Sequence, residues 1–191
     1  MLGSLAGARV LDLYAGSGAV GLEALSRGAD HVLLVEQGSR ATRVIRENIE
    51  AIGLPGAVLA ADRVERVLAR GPAPAGGQDS PVPAGGQDSP APAGGQDRPE
   101  GGRYDVVFAD PPYALADTAV SQVLSLLADQ GWLAPGALVI VERATRSGPV
   151  SWPDGFVPDR ARRYGEATFW YGLGPSGSKS PKTPHNDQAS P

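Results

Sequence analysis

The stretch Leu11-Asp12-Leu13-Tyr14-Ala15-Gly16-Ser17-Gly18-Ala19-Val20-Gly21 decides the fold. An apolar β-type run, Arg9 to Tyr14, passes through a glycine-rich turn into a helical pattern, Val20 to Arg27, which Gly28 stops. The glycines at 16, 18 and 21 have the Gly-x-Gly-x-x-Gly spacing that lets a strand turn sharply and its backbone approach a ligand. Outward from there, short β-type runs alternate with longer helical ones, which predicts βαβ units and a parallel sheet. Strands are expected at Val32 to Glu36, Val58 to Ala61, Tyr104 to Ala109 and Ala137 to Glu142. Helices are expected at Arg40 to Ile52, Val64 to Ala69 and Thr118 to Ala128. The first of these keeps Arg40, Arg43, Arg46, Glu47 and Glu50 on its wet side. Two late β segments, Ala161 to Tyr164 and Ala167 to Gly172, close the domain.

At 191 residues the chain fits one domain, expected over 1–173. Residues 72–80, 81–89 and 90–98 are three copies of one nonapeptide, Pro-x-Pro-Ala-Gly-Gly-Gln-Asp-Ser, with Arg98 as the single change in the last position. The unit has almost nothing apolar to bury against its ordering entropy, so 71–103 is expected to be a disordered insertion. It joins a helix to the next strand, and so leaves from the sheet edge opposite the strand ends where ligands bind. The Pro-, Ser- and Gly-rich tail, 174–191, is expected to be disordered as well.

Composition excludes several chemistries. With no cysteine there is no disulfide framework, thiolate zinc site or cysteine nucleophile, and two histidines, His31 and His185, argue against a histidine metal site or triad. No metal is therefore expected. No apolar run approaches bilayer length and the N-terminus lacks a signal-peptide pattern, so a cytoplasmic protein with no membrane partner is expected. The net charge of −4 argues weakly against a nucleic-acid partner, but where charge sits matters more than its total. Arginine outnumbers lysine fifteen to two in a chain rich in Ala, Gly and Pro, a bias of genomic base composition more than of phosphate binding.

Three acids surround the glycine loop. Glu36 ends the second strand, where it can take two ribose hydroxyls, and Asp62 ends the third, where it can accept from an adenine amine. Asp12 lies four residues before Gly16, and its charge suits a ligand amino group better than a pyrophosphate. Glycine spacing alone fits NAD. The acids, with no basic residue in the loop, favour a cationic nucleoside without phosphate, the character of S-adenosylmethionine. Glu36 and Asp62 can also be read as helix N-caps, and Tyr14 as core. Asp12 resists such a reading, because an unpaired buried charge is costly.

Asp110-Pro111-Pro112-Tyr113 ends the fourth strand. Two prolines stop the strand and fix φ, presenting a carboxylate, carbonyl acceptors and an aromatic face at the lip of the sheet. Such a set suits a planar base with an exocyclic amine: acceptors hold the NH2 while the ring stacks on tyrosine. The bland alternative is a Pro-Pro turn with Tyr113 as cover.

These motifs resemble the bacterial RsmD family, which methylates N2 of a guanine in small-subunit (16S) ribosomal RNA. The resemblance rests on Asp12 to Gly28, Asp110 to Tyr113, Gly131-Trp132-Leu133-Ala134 and Tyr164-Gly165-Glu166-Ala167-Thr168, and runs from about Arg9 to Tyr171 without the insertion. It implies an α/β class I S-adenosylmethionine-dependent methyltransferase sheet, Rossmann-like, of about seven strands, the last antiparallel. Asp12 and the loop Gly16, Ser17 and Gly18 would then hold the methionine part of the cofactor, Glu36 the ribose, and Asp62 with the Arg63 backbone the adenine, with Tyr14 and Ala15 also cofactor-binding. Asp110, Pro111, Pro112 and Tyr113 would be catalytic. The implied partner is small-subunit ribosomal RNA or a 30S assembly intermediate, met by a monomer. Arg40, Arg43 and Arg46, or Arg160, Arg162 and Arg163, are candidate phosphate contacts. Members of the family carry a segment before strand one with an Arg-Pro-Thr element and a helix, so Met1 is expected to be an internal methionine of a longer protein. An adenine-N6 or glutamine methyltransferase, an NAD-dependent oxidoreductase and a truncated inactive RNA-binding protein remain the competing readings.

Overall fold

A computed structural model describes residues 4–72 and 102–176. The expected insertion and tail fall, apart from their few end residues, outside the described residues. The strands are β1 (Arg9–Leu13), β2 (His31–Val35), β3 (Ala57–Ala60), β4 (Tyr104–Ala109), β5 (Leu133–Ala144), β6 (Val157–Tyr164) and β7 (Ala167–Leu173). The helices are α1 (Ala19–Ser26), α2 (Ser39–Ile52), α3 (Val64–Ala69) and α4 (Asp117–Asp129). They build one seven-stranded sheet in the order β3-β2-β1-β4-β5-β7-β6. The strands from β3 to β5 pair in parallel, and β7 runs antiparallel to both β5 and β6. Chain order reverses between β1 and β4, so the crevice beyond their carboxyl ends is the switch point where such sheets take ligands.

Each strand of the centre is buried on both faces, which is why it reads as an unbroken apolar run. Leu11, Leu13, Val107, Val139 and Val141 point into one core, closed by Val64, Leu68, Val120, Leu124 and Leu127 of α3 and α4. Val10, Val32, Leu34, Val106 and Ile140 point into the other, closed by Leu22, Leu25 and Ile45 of α1 and α2. Trp132 fixes the start of β5: its indole N–H donates to the Leu68 carbonyl of α3 at 2.9 Å, and its ring stacks on Tyr104. The expected wet side of α2 is observed, with Arg40, Arg43, Arg46, Glu47 and Glu50 exposed.

Two strands are longer than their sequence suggests. β5 begins at Leu133 because the ladder with β4 absorbs Pro135-Gly136 as an irregularity, jumping from Tyr104↔Leu133 to Val106↔Leu138, with Gly136 at φ +70. β6 begins at Val157 because an edge strand tolerates Pro158 and bulges at Asp159. Beyond β7 the chain stays tied to β5, where the Gly174 N–H donates to the Ala137 carbonyl at 2.8 Å.

Candidate functional site

The glycine loop is fixed from several sides. Gly16 and Gly18 take φ of +57 and +78, open to glycine at little cost, and Gly18 N–H donates to the Ala15 carbonyl at 2.7 Å. Gly21 serves packing instead. A Cβ there would lie 2.5 Å from Leu34 Cδ2 and 2.7 Å from Val32 Cγ1, so only glycine lets α1 settle on the sheet. That approach also brings the Gly21 N–H to Asp12 Oδ2 at 2.9 Å. Asn48 of α2 donates its side-chain N–H to the Ser17 carbonyl at 2.9 Å and holds the far side of the loop. Sequence reading gave Asn48 no role, since a polar residue on an amphipathic helix has no distinguishing spacing.

Asp12 is buried at 2% exposure, and burial pushes its carboxyl pKa up to about 7. The Gly21 N–H opposes that rise, while the charges of Asp110 and Glu36 add to it. Glu36 accepts from Gly16 N–H through Oε2 at 3.0 Å and from Gly38 N–H through Oε1 at 2.6 Å. It therefore joins the first loop to the second, and it is not an N-cap of α2, which has no side-chain cap.

A cleft of about 380 Å³ opens at the carboxyl ends of the strands. Tyr14, Glu36, Arg63, Asp110, Pro111, Pro112 and Tyr113, all singled out in the sequence, line it together. Glu65, Gln37 and Leu115 line it too, without having been foreseen. Tyr14 is at φ +62, and its buried hydroxyl has no hydrogen-bond partner among the described residues. Burial, with the Glu65 charge second, holds that phenol well above its ordinary pKa.

Asp12, Ala15, Gly16, Ser17, Gly18 and Asp62 are not among the residues that line this cleft and lie beside those that do. Asp62 Oδ1 accepts from Arg63 N–H at 2.8 Å, and Arg70 and Arg66 pair with the two oxygens at 2.8 and 3.5 Å. The Arg63 N–H bond comes first among the causes that lower its pKa. Each carboxylate oxygen keeps acceptor capacity beyond these partners, and the neighbouring Arg63 lines the cleft.

The Asp110 segment sits as the double proline dictates. Asp110 N–H still donates to the Leu13 carbonyl at 3.3 Å, after which the ladder stops. Pro112 gives its carbonyl to Leu115 N–H at 2.8 Å, and the Pro111 carbonyl has no intramolecular donor among the described residues. Tyr113 is 57% exposed at the mouth. Burial raises the Asp110 pKa. Glu142 of β5, next to Val141, the partner of Ala109, shares this lip; burial and then Asp110 raise its pKa. Behind them Arg143, 3% exposed, donates to the Leu115 carbonyl at 2.9 Å and to Asp117 Oδ1 at 2.7 Å, anchoring the turn after Tyr113. Glu142 and Arg143 were missed because a lone charged pair at a strand end carries no motif.

This geometry can hold a nucleoside with a cationic arm. Carboxylates accept hydroxyl and ammonium protons, the apolar walls take a base, and the buried Tyr14 hydroxyl awaits a partner. A pyrophosphate finds little here. Two loop N–H groups are already given to Glu36 and Ala15, and the nearby charges are acidic.

Comparison with known proteins agrees with the fold. Residues 1–75 and 93–172 match the family described as conserved hypothetical protein 95. The chain is 28% identical over 149 residues to "Ribosomal RNA small subunit methyltransferase D" of Escherichia coli K12, covering 76% of this chain and 60% of that protein. It thus spans about three-fifths of the length of that curated relative. A solved Escherichia coli structure described as a candidate methyltransferase, yhhF, superposes with a TM-score of 0.70 at 25% identity, covering 91% of this chain and 80% of that one. A conserved hypothetical protein of Streptococcus pyogenes gives 0.65 at 26% identity, covering 88% and 87%.

Proposed function

The chain belongs to the RsmD family, described as conserved hypothetical protein 95, and on that premise we propose that it is an S-adenosylmethionine-dependent ribosomal RNA methyltransferase. Its target is the exocyclic N2 amine of a guanine in small-subunit ribosomal RNA, met free or in an assembling 30S particle in the cytoplasm. The observation that carries this reading is the placing of Asp110, with the undonated Pro111 carbonyl, on the wall of a nucleoside-sized cleft whose other acids suit a cationic ligand.

Asp12 would face the ammonium of the cofactor and Glu36 its ribose hydroxyls, while Tyr14, Arg63 and Val64 border the base. The bound cofactor supplies an electrophilic methyl group on a sulfonium. The chain's own residues prepare the nucleophile. A guanine amine is weak because its lone pair is delocalised into the ring. Hydrogen bonds from that NH2 to the Asp110 carboxylate and the Pro111 carbonyl localise the pair on nitrogen. Tyr113, exposed at the mouth, stacks on the base once it has been splayed from its neighbours. Positioning and fixed charge supply the rate, and the proton released from nitrogen passes to Asp110 or water.

The test is transfer of labelled methyl from S-adenosylmethionine to 16S ribosomal RNA and to 30S particles, with the product digested to nucleosides. Label in N2-methylguanosine is expected. Label in N6-methyladenosine, or none in RNA, would overturn the assignment. Asp110→Ala should lower turnover at least about a hundredfold and leave S-adenosylhomocysteine affinity within about threefold, since the residue acts on the base. Near-parental turnover would remove Asp110 from the mechanism.

A further inference from the structure

We propose that the outer face of strands β5, β7 and β6 is a docking strip for single-stranded RNA, with phosphates at the β6 edge and the target base at Asp110. The proposal rests on the RNA methyltransferase reading above and assigns its substrate surface. Residues two apart on a strand share a face. Pairing therefore places three cross-sheet rows on one side. The first is Phe108↔Ile140↔Tyr171↔Arg160. The second continues from Asp110 through Glu142↔Phe169↔Arg162. The third is Ala144↔Ala167↔Tyr164.

Along these rows the chemistry changes in one direction. Asp110 and Glu142 form an acidic end, Phe108, Phe169 and Tyr171 an aromatic middle, and Arg160, Arg162 and Tyr164 a basic, exposed margin. Every residue of β6 is exposed, Tyr164 at 59%. The aromatic middle is already arranged as stacking surface: Phe108 and Phe169 lie 6.3 Å apart, Tyr164 meets Phe169 edge-on at 5.6 Å, and the Arg160 guanidinium covers the Tyr171 ring at 4.4 Å. Phe108, Phe169 and Tyr171 are only partly buried, at the border of the core that α1 and α2 close.

Charge complementarity chooses the occupant. The chain carries a net charge of −4, yet this margin gathers Arg160 and Arg162, with Arg146 exposed just beyond β5, while Arg163, opposite Thr168, belongs to the other face. Arg162 has no ion-pair partner among the described residues, and Arg160 has only its neighbour Asp159. Such arginines beside the exposed Tyr164 and the partly buried Phe169 fit a polyanion with stackable bases. The acidic end repels phosphate and accepts amine protons, so a strand lying across the rows is oriented: backbone outward, base inward. Three strand spacings separate Asp110 from Arg162, about 14 Å, a reach of a few nucleotides.

The experiment is fluorescence anisotropy of the full chain, with saturating S-adenosylhomocysteine, against a single-stranded oligoribonucleotide at several salt concentrations. Calorimetric titration of S-adenosylhomocysteine runs in parallel for each variant. Arg160→Gln/Arg162→Gln should weaken RNA binding at least tenfold and reduce the log–log salt slope by about 1.4, two contacts at about 0.7 each. Tyr164→Ala should weaken it roughly five- to a hundredfold. Both should bind S-adenosylhomocysteine as the parent does, since β6 contributes nothing to that cleft. If both variants bind RNA like the parent while Arg40→Gln/Arg43→Gln/Arg46→Gln does not, the strip is wrong and the RNA reading stands. If the parent binds S-adenosylhomocysteine but no RNA, the RNA reading fails and takes the strip with it. A concentration-dependent dimer in sedimentation that Tyr164→Ala dissolves, with RNA binding unchanged, would assign the face to a second copy and overturn the proposal.

Discussion

Burial holds the Asp12 carboxyl at a pKa of about 7, against an ordinary value of 3.8, and this sets its behaviour with pH. The folded chain keeps a proton there that the unfolded chain releases between those two values. Stability contributed by this group is therefore full below pH 3.8 and lost as pH rises to 7, on the order of 4 kcal/mol at 1.36 kcal/mol per unit. Asp12→Asn removes the penalty, and urea denaturation at pH 8 should show a more stable variant. Binding runs the other way. An ammonium beside Asp12 favours the carboxylate, so parental affinity for S-adenosylhomocysteine should fall by up to about tenfold per unit below pH 7. The asparagine variant should bind weakly with a flat profile. A flat parental profile in calorimetry would remove Asp12 from the ammonium.

At the scale of elements, β5 supports the candidate active site through Arg143. Its guanidinium reaches across to the Leu115 carbonyl and Asp117, joining the end of β5 to the start of α4 and fixing the turn that follows Tyr113. Two opposed effects decide what its loss does. The hydrogen bonds of a charged donor are worth about 1.5–3 kcal/mol each. Burying the guanidinium costs a comparable amount, and its Nη1 has no partner among the described residues. Asp117 is 61% exposed and regains water when released. Arg143→Met should therefore leave global stability within about 1 kcal/mol and loosen the turn selectively. Hydrogen exchange at Leu115 and Ala119 should rise at least tenfold, with exchange in β1 unchanged. A uniform rise across both would mean Arg143 holds the whole core instead.

For the whole molecule, the sheet separates two ends with different duties. The candidate site occupies the carboxyl ends of the strands. At the amino ends Gly71 and Gly102 border a second cleft, of about 360 Å³, with Arg9 and Trp132, so the described residues that flank 73–101 lie away from the site. Replacing residues 73–101 by a four-residue linker should leave S-adenosylhomocysteine affinity within about twofold, since the described residues that flank the segment, Gly71 and Gly102, border the amino-end cleft and not the site. A loss beyond tenfold in calorimetry would give the repeats a part in the site.

Sequence alone determined what local rules encode. Gly-x-Gly-x-x-Gly after an apolar run requires strand, tight turn and helix, and Asp110-Pro111-Pro112 must end a strand because proline has no N–H for the ladder. Alternating β and helical runs predicted the parallel sheet, and Asp12 stood out as a carboxylate inside a core strand. The tertiary structure decided what depends on partners distant in sequence. It showed Asp62 held by Arg63, Arg66 and Arg70 and outside the cleft, Glu36 bridging two loops, and β5 running through Pro135-Gly136. It also placed Glu142, Arg143 and Asn48 around the site, and set Phe108, Phe169 and Arg162 on one face. None of these has a periodicity or spacing of its own. A charged side chain reads the same in sequence whether water or a partner distant in the chain satisfies it, as Asp117 satisfies Arg143, and only packing makes that choice.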